Sequence, residues 1–245
     1  MIYYAIADLH GRYDLLDKAL DVIDEDVDAH NYSQDFTKII TLGDYIDRGP
    51  ESNKIINFLI KYSDNENFIS LKGNHEDIMV QAMRKPNLLD WWFSNGGRKT
   101  VESYGSMDGI WDTSPVNPEH VSWMANLPLC YETEKHVFVH AGVPTDDLDL
   151  DNQDPEELLW MLYGKNDQGG YRGKHVVHGH HQFADGPHEY SGRTDLDTFA
   201  WKTGRLVVGV FSDEQHGALR FLEVKGDEHG ATRGEDLNYG LLLSP

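Results

Sequence analysis

Five short stretches of this chain carry side chains able to hold metal ions. They are Asp8-Leu9-His10-Gly11, Gly43-Asp44-Tyr45-Ile46-Asp47-Arg48-Gly49, Gly73-Asn74-His75-Glu76, His140-Ala141-Gly142 and His178-Gly179-His180. All five offer oxygen or imidazole nitrogen and none offers sulfur, a set that suits Mn, Fe or Zn better than a soft metal. Asp8 and His10 are two apart, so in extended backbone their side chains project the same way. The neighbouring glycines let the chain turn sharply and approach a ligand closely. Taken singly, each stretch is ordinary. An Asp-x-His pair arises by chance, a histidine ending a strand is usually a satisfied polar residue, and Gly-Asn-His-Glu alone reads as a turn. The ordered set of five is what points to chemistry.

The elements that must position these residues follow from hydrophobic periodicity. Ile2–Ala7 reads as a buried strand, Arg12–Ile23 as a helix, Asp24–Asp35 as an acidic loop and Lys38–Leu42 as a second strand. Glu51–Tyr62 reads as a helix, Phe68–Leu71 as a third strand and Glu76–Met83 as the start of a third helix. This alternation implies parallel strands in a covered sheet. The first three clusters then fall at the carboxyl ends of the strands, where ligands bind in open α/β sheets. Pro86–Asn126 is less regular, and its Trp91, Trp92, Phe93, Trp111 and Trp123 suggest helices and loops packed over the first sheet. Leu129–Thr133 and His136–His140 read as paired strands, and Pro155–Leu162 as a short helix with Asp154 as N-cap. Lys174–His178, Ala200–Thr203, Leu206–Phe211 and Ala218–Val224 read as further strands, giving a second half richer in antiparallel sheet. With no internal repeat, low-complexity tract or linker, one domain over 1–245 with two sheets is expected.

The bulk numbers exclude some classes. Acidic residues number 42 against 21 Lys and Arg, a formal charge of −21. That argues against a nucleic acid or an anionic membrane held by charge. Metal-binding carboxylates account for only a few of these charges, so a solvated acidic surface carries most. Hydrophobic content of 39% and charged content of 26% are those of a globular protein. Cys130 is the single cysteine, which rules out an internal disulfide and a thiolate cage. It reads as a small, semi-buried apolar residue and fits a cytoplasmic, reducing setting. The apolar start has no basic region or cleavage pattern of a signal peptide, and no apolar stretch reaches membrane-spanning length.

Taken together, the five clusters resemble the calcineurin-like metallophosphoesterases, in the branch of the phosphoprotein phosphatases. That branch holds bacterial and phage serine/threonine phosphatases and symmetrical diadenosine tetraphosphate hydrolases. The resemblance runs from Asp8 to about Ala200 and is most specific at Gly43–Gly49 and Gly73–Glu76. It implies an α/β fold of two mixed β-sheets packed as a central sandwich flanked by helices. It implies two divalent metal ions, Mn first, with Fe or Zn as alternatives. Asp8, His10 and His180 would hold one ion, Asn74 and His140 the other, and Asp44 would bridge them. A bridging carboxylate offsets the repulsion of two cations about 3.5–4 Å apart, and a shared water, acidified towards hydroxide, would attack phosphorus in line. His75 would protonate the leaving oxygen, Asp47 would hold its ring, and Arg48 would fork onto two phosphate oxygens.

Three departures bear on the substrate. Relatives carry Leu-Trp-x-Arg, whose arginine is a second phosphate clamp; here Leu159-Trp160-Met161-Leu162 has leucine there. Lys165 or Arg172 could substitute, and Arg172 is preferred because a guanidinium restores a bidentate contact. His181-Gln182 replaces the usual Thr-Pro, and Phe199 stands where the late strand, Arg193–Thr198, normally continues with Gly. The leading expectation is a phosphomonoesterase acting on phosphoserine or phosphothreonine in proteins, with phosphotyrosine also open. The alternatives are a hydrolase of dinucleoside polyphosphates or other small phosphoesters, and a binding protein that kept the fold but lost the chemistry. The sequence leaves the oligomeric state open.

Overall fold

Ten strands build two five-stranded sheets in the computed structural model, which describes residues 1–107, 109 and 112–226. Trp111 lies outside the described residues. In chain order the elements begin β1 (Ile2–Ile6), α1 (Tyr13–His30), β2 (Thr37–Thr41), α2 (Ser52–Lys61), β3 (Phe68–Ser70) and α3 (Asn74–Arg84). The short helices α4 (Leu89–Trp92), α5 (Arg98–Ser103) and α6 (Pro118–Ala125) follow. Next come β4 (Cys130–Glu132), β5 (His136–Val139), α7 (Pro155–Trp160), β6 (His175–His178), β7 (His188–Glu189) and β8 (Arg193–Asp195). The chain continues through α8 (Ala200–Thr203), β9 (Arg205–Ser212) and β10 (Arg220–Lys225).

The first sheet has the order β10-β9-β1-β2-β3, and the second β4-β5-β6-β8-β7. The β1–β2 and β2–β3 pairs are parallel, as the β-α-β alternation requires. β9 and β10 extend that sheet antiparallel to β1. The second sheet is parallel at its centre, β5–β6–β8, and antiparallel only at its edges. The expected antiparallel excess is therefore confined to the margins of both sheets.

Period-two alternation assigns each strand face. Tyr4 and Ile6 of β1 pack with the helices, among Leu16, Ile23, Ile56 and Met79. Tyr3, Ala5 and Ala7 turn the other way and meet Phe138, Val177 and Leu196 of the second sheet. Val137, Val139 and Val176 face outward onto Leu158 of α7. The layers run helices, sheet, sheet, helix. Among the described residues, no helix is long and apolar enough to cross a membrane.

Two expectations change. The acidic stretch after Ile23 is not all loop, because α1 continues to His30. Asp26 is buried there, accepting from the Tyr4 hydroxyl at 2.6 Å and pairing with Arg220, and Val27 is buried too. Ala200–Thr203 is a helical turn rather than a strand, because the Phe199 carbonyl accepts from Lys202 and Thr203.

Candidate metal centre

The carboxyl ends of β1, β2 and β3 lie side by side, and backbone hydrogen bonds tie their loops together. His10 N–H donates to the Asp44 carbonyl and Gly11 N–H to that of Tyr45, both at 2.8 Å. The approach is close enough to exclude side chains. A Cβ on Gly73 would lie 2.3 Å from the Asp44 nitrogen, and one on Gly49 would lie 2.1 Å from the His10 carbonyl oxygen. α3 starts at Asn74, so Asn74 and His75 occupy its first turn. Glu76, one residue on, is fully buried and accepts from the backbone N–H groups of Gly73, Asp44 and Tyr45 at 2.8–2.9 Å.

Backbone strain concentrates here. Asp8, His10, Asp44, Asp47, Arg48 and His180 have φ of 51°, 42°, 54°, 72°, 68° and 68°. Among the described residues only Asn31, Arg172 and Phe199 otherwise combine positive φ with a side chain. Each such residue costs on the order of 1–3 kcal/mol, and such strain clusters at functional sites.

The donor set converges. His10, Asp44 and His75 present ligand atoms within 4.8 Å of one another, as do Asp44, His140 and His180. Asp44 belongs to both groups. The His10 Nδ1–H donates to the Ile46 carbonyl, and the His140 Nδ1–H to that of Leu42, both at 2.8 Å. Each therefore turns the Nε2 lone pair inward, the arrangement of a ligating imidazole with its outer hydrogen bond. Asn74 Oδ1 lies 2.8 Å from His140 Nε2. In either amide orientation Asn74 faces a cluster of acceptors made of His140 Nε2 and the two Asp44 oxygens. Asp8 accepts from His180 N–H at 3.1 Å, which brings it to the same edge.

Electrostatics separate the histidines. Burial lowers the pKa of His10, His140 and His180, leaving them neutral with lone pairs available. Burial also acts on His75, but the carboxylates of Asp44 and Asp47 outweigh it and raise its pKa. Asp8 is pushed well up by burial and by the charges of Asp197 and Asp44. So many buried acceptors around neutral imidazoles call for cations, and an oxygen and imidazole set fits two divalent ions.

His75 Nδ1 lies 2.7 Å from Asp47 Oδ2. Asp47 is itself held by Trp92 Nε1 at 3.0 Å and by the Thr100 hydroxyl at 2.6 Å. Trp92 is thus both a core residue and a buttress of the site. The Arg48 guanidinium spans the two rings, 2.9 Å from His10 Nε2 and 3.0 Å from His75 Nε2.

Arg172 is not brought to this cluster. It precedes β6, whereas His180 follows it, so the two leave opposite ends of one strand. Its guanidinium is committed to Asp149 and to the Asp146 carbonyl. Lys165 lies exposed in a turn. His178 is fully buried, with Nδ1–H donating to the Gly179 carbonyl and Nε2 accepting from Arg193, so both nitrogens are taken.

Sequence reasoning missed several residues at this edge: Trp92 and Thr100 behind Asp47, the amide-gathering role of Glu76, and the buried Asp197. Glu76 lay inside a recognised cluster. Asp197 lay inside the late strand compared with relatives, whereas Trp92 and Thr100 had no local signal.

The profile of the calcineurin-like phosphoesterases matches residues 1–222. The symmetrical bis(5'-nucleosyl)-tetraphosphatase of Nitrosococcus oceani is 26% identical, over 92% of this chain and 68% of that protein. Serine/threonine-protein phosphatase 2 of Salmonella typhimurium is 28% identical, over 83% of this chain and 89% of that one. A protein serine/threonine phosphatase structure from Saccharomyces cerevisiae superposes with a TM-score of 0.56 at 16% identity, covering 94% of this chain and 81% of that one. At that identity the likeness concerns the fold.

Proposed function

Since this chain belongs to the calcineurin-like phosphoesterases and is a phosphoester hydrolase, we propose that it is a dinuclear phosphomonoesterase acting on phosphoserine or phosphothreonine in proteins. Asp8, His10 and His180 would hold one divalent ion, Asn74 and His140 the other, and Asp44 would serve both, with Mn the first candidate. The observation that carries the reading is the convergence of two groups of ligand atoms on Asp44, one with His10 and His75 and the other with His140 and His180. Burial lowers the pKa of His10, His140 and His180, while the carboxylates of Asp44 and Asp47 raise that of His75 against burial.

Two divalent ions at this centre supply acidified water and charge neutralisation at phosphorus. The protein supplies the rest. Asp47 fixes the His75 ring through Nδ1, so Nε2 is the atom that delivers the proton to the leaving oxygen. Trp92 and Thr100 keep the Asp47 carboxylate in place. Arg48 reaches both rings with its two terminal nitrogens, and the same planar fork suits two phosphoryl oxygens seated between them.

The relatives carry names of both protein phosphatases and dinucleoside tetraphosphatases. A side-by-side assay of a phosphoserine peptide and diadenosine tetraphosphate with Mn²⁺ tests the substrate class. The expected result is a higher kcat/KM on the phosphopeptide. A clear preference for the dinucleotide overturns that choice and leaves the metal centre intact. Hydrolysis of neither overturns the enzymatic reading.

A further inference from the structure

One buried acid at the metal edge has an unpaired oxygen and no assigned role. Asp197 is 2% exposed. Its Oδ1 accepts from the Phe199 N–H at 2.8 Å, but its Oδ2 is buried without a hydrogen bond. Unpaired buried carboxylates are costly and persist where something else compensates them.

The strand register says where this oxygen lies. β6 and β8 run parallel with His178 opposite Asp195, and the Leu196 N–H donates to the His178 carbonyl. Two residues further, each strand leaves the sheet at the same end, one through His180 and the other through Asp197. The following turn stays on the site, because the Arg48 guanidinium sits 5.6 Å from the centre of the Trp201 ring. Asp197 also faces Asp8 and Asp44 closely enough for their charges to act on each other. Three buried carboxylates, Asp8, Asp44 and Asp197, thus crowd one end of the sandwich.

We propose that Asp197 is a positioning residue of the metal centre, its free oxygen supplying the charge that holds a divalent cation at the Asp8, His10 and His180 position. The proposal rests on the dinuclear reading above. It goes beyond the ligand set by making a third acid, not counted among the ligands, a determinant of metal affinity.

The test is an Asp197→Asn variant, which keeps the oxygen that accepts from Phe199. Mn²⁺ titration by calorimetry and thermal unfolding with and without Mn²⁺ are measured at one fixed pH for variant and wild type. The expected result is at least about ten-fold weaker affinity at one of two sites. The metal-free Tm stays equal or rises, because a buried repulsion is removed, and the Mn²⁺-induced rise in Tm shrinks. Asp197→Glu should recover part of the affinity. Unchanged affinity at both sites overturns the proposal. So does a lowered metal-free Tm with both sites weakened alike, which marks a structural role. Wild-type protein that binds no Mn²⁺ overturns the dinuclear reading itself, and this proposal with it.

Discussion

β5 and β6 are each flanked by histidines at both ends, and the two ends behave differently. At their amino ends, His136 and His175 are buried, and burial lowers the pKa of each to about 4. His136 packs against Phe211 with ring centres 5.4 Å apart, and His175 Nε2 bonds the Thr194 hydroxyl at 2.8 Å. At the carboxyl ends, His140 and His180 are also neutralised by burial, but they meet Asp44 within metal-ligand range. There the backbone also bends into positive φ at Asp8, Asp44 and His180. Burial alone makes an imidazole a packed, neutral side chain. At the other end, Asp44 and a strained backbone give it the surroundings of a candidate metal site.

The largest expected effect at the active end is His75→Asn. It should lower kcat/KM on phosphoserine by about 10²–10⁴, the usual worth of a general acid. Bound metal should be unchanged, and nitrophenyl phosphate, whose leaving group scarcely needs a proton, should suffer far less. Equal losses on both substrates would remove His75 as the acid. Asp47→Asn comes next, with a loss of roughly 10–100-fold. Asp47 helps to raise the His75 pKa, so activity that needs protonated His75 is lost as pH rises through that value. In the variant this basic limb should move to lower pH, read from a kcat/KM profile on phosphoserine.

At the inactive end, His136→Phe should leave kcat/KM alone and change only stability against pH. The folded pKa of His136, about 4, lies below the value near 6.5 expected when unfolded. The unfolded chain therefore binds the extra proton first, and this histidine costs stability progressively as pH falls from 6.5 to 4. Denaturant titrations across that window should show a shallower acid loss in the variant. The smallest effect is expected for Arg172→Ala. Its exposed pair with Asp149, screened by solvent, predicts no appreciable stability change and an unchanged kcat/KM. A ten-fold loss of kcat/KM would return Arg172 to the phosphate pocket.

The first three clusters were legible because each follows a short apolar strand and carries its own glycines. Their shared edge follows from parallel pairing. What surrounds them was not legible. Asp47 is held by Trp92 and Thr100, 45 and 53 residues downstream, and Trp92 reads in sequence as one more core aromatic. Asp26 reads as part of an acidic loop because its partners, Tyr4 and Arg220, are distant in the chain. Arg172 drew attention as the missing clamp because composition gives no hint of which end of β6 it occupies.

Titrating Mn²⁺ into chelator-treated protein, while following binding and phosphoserine hydrolysis together, tests the central claim most directly. Two equivalents per chain should bind, with activity absent before addition and restored as the second site fills. Full activity in the chelator, or saturation at one equivalent, would contradict the dinuclear centre around Asp44.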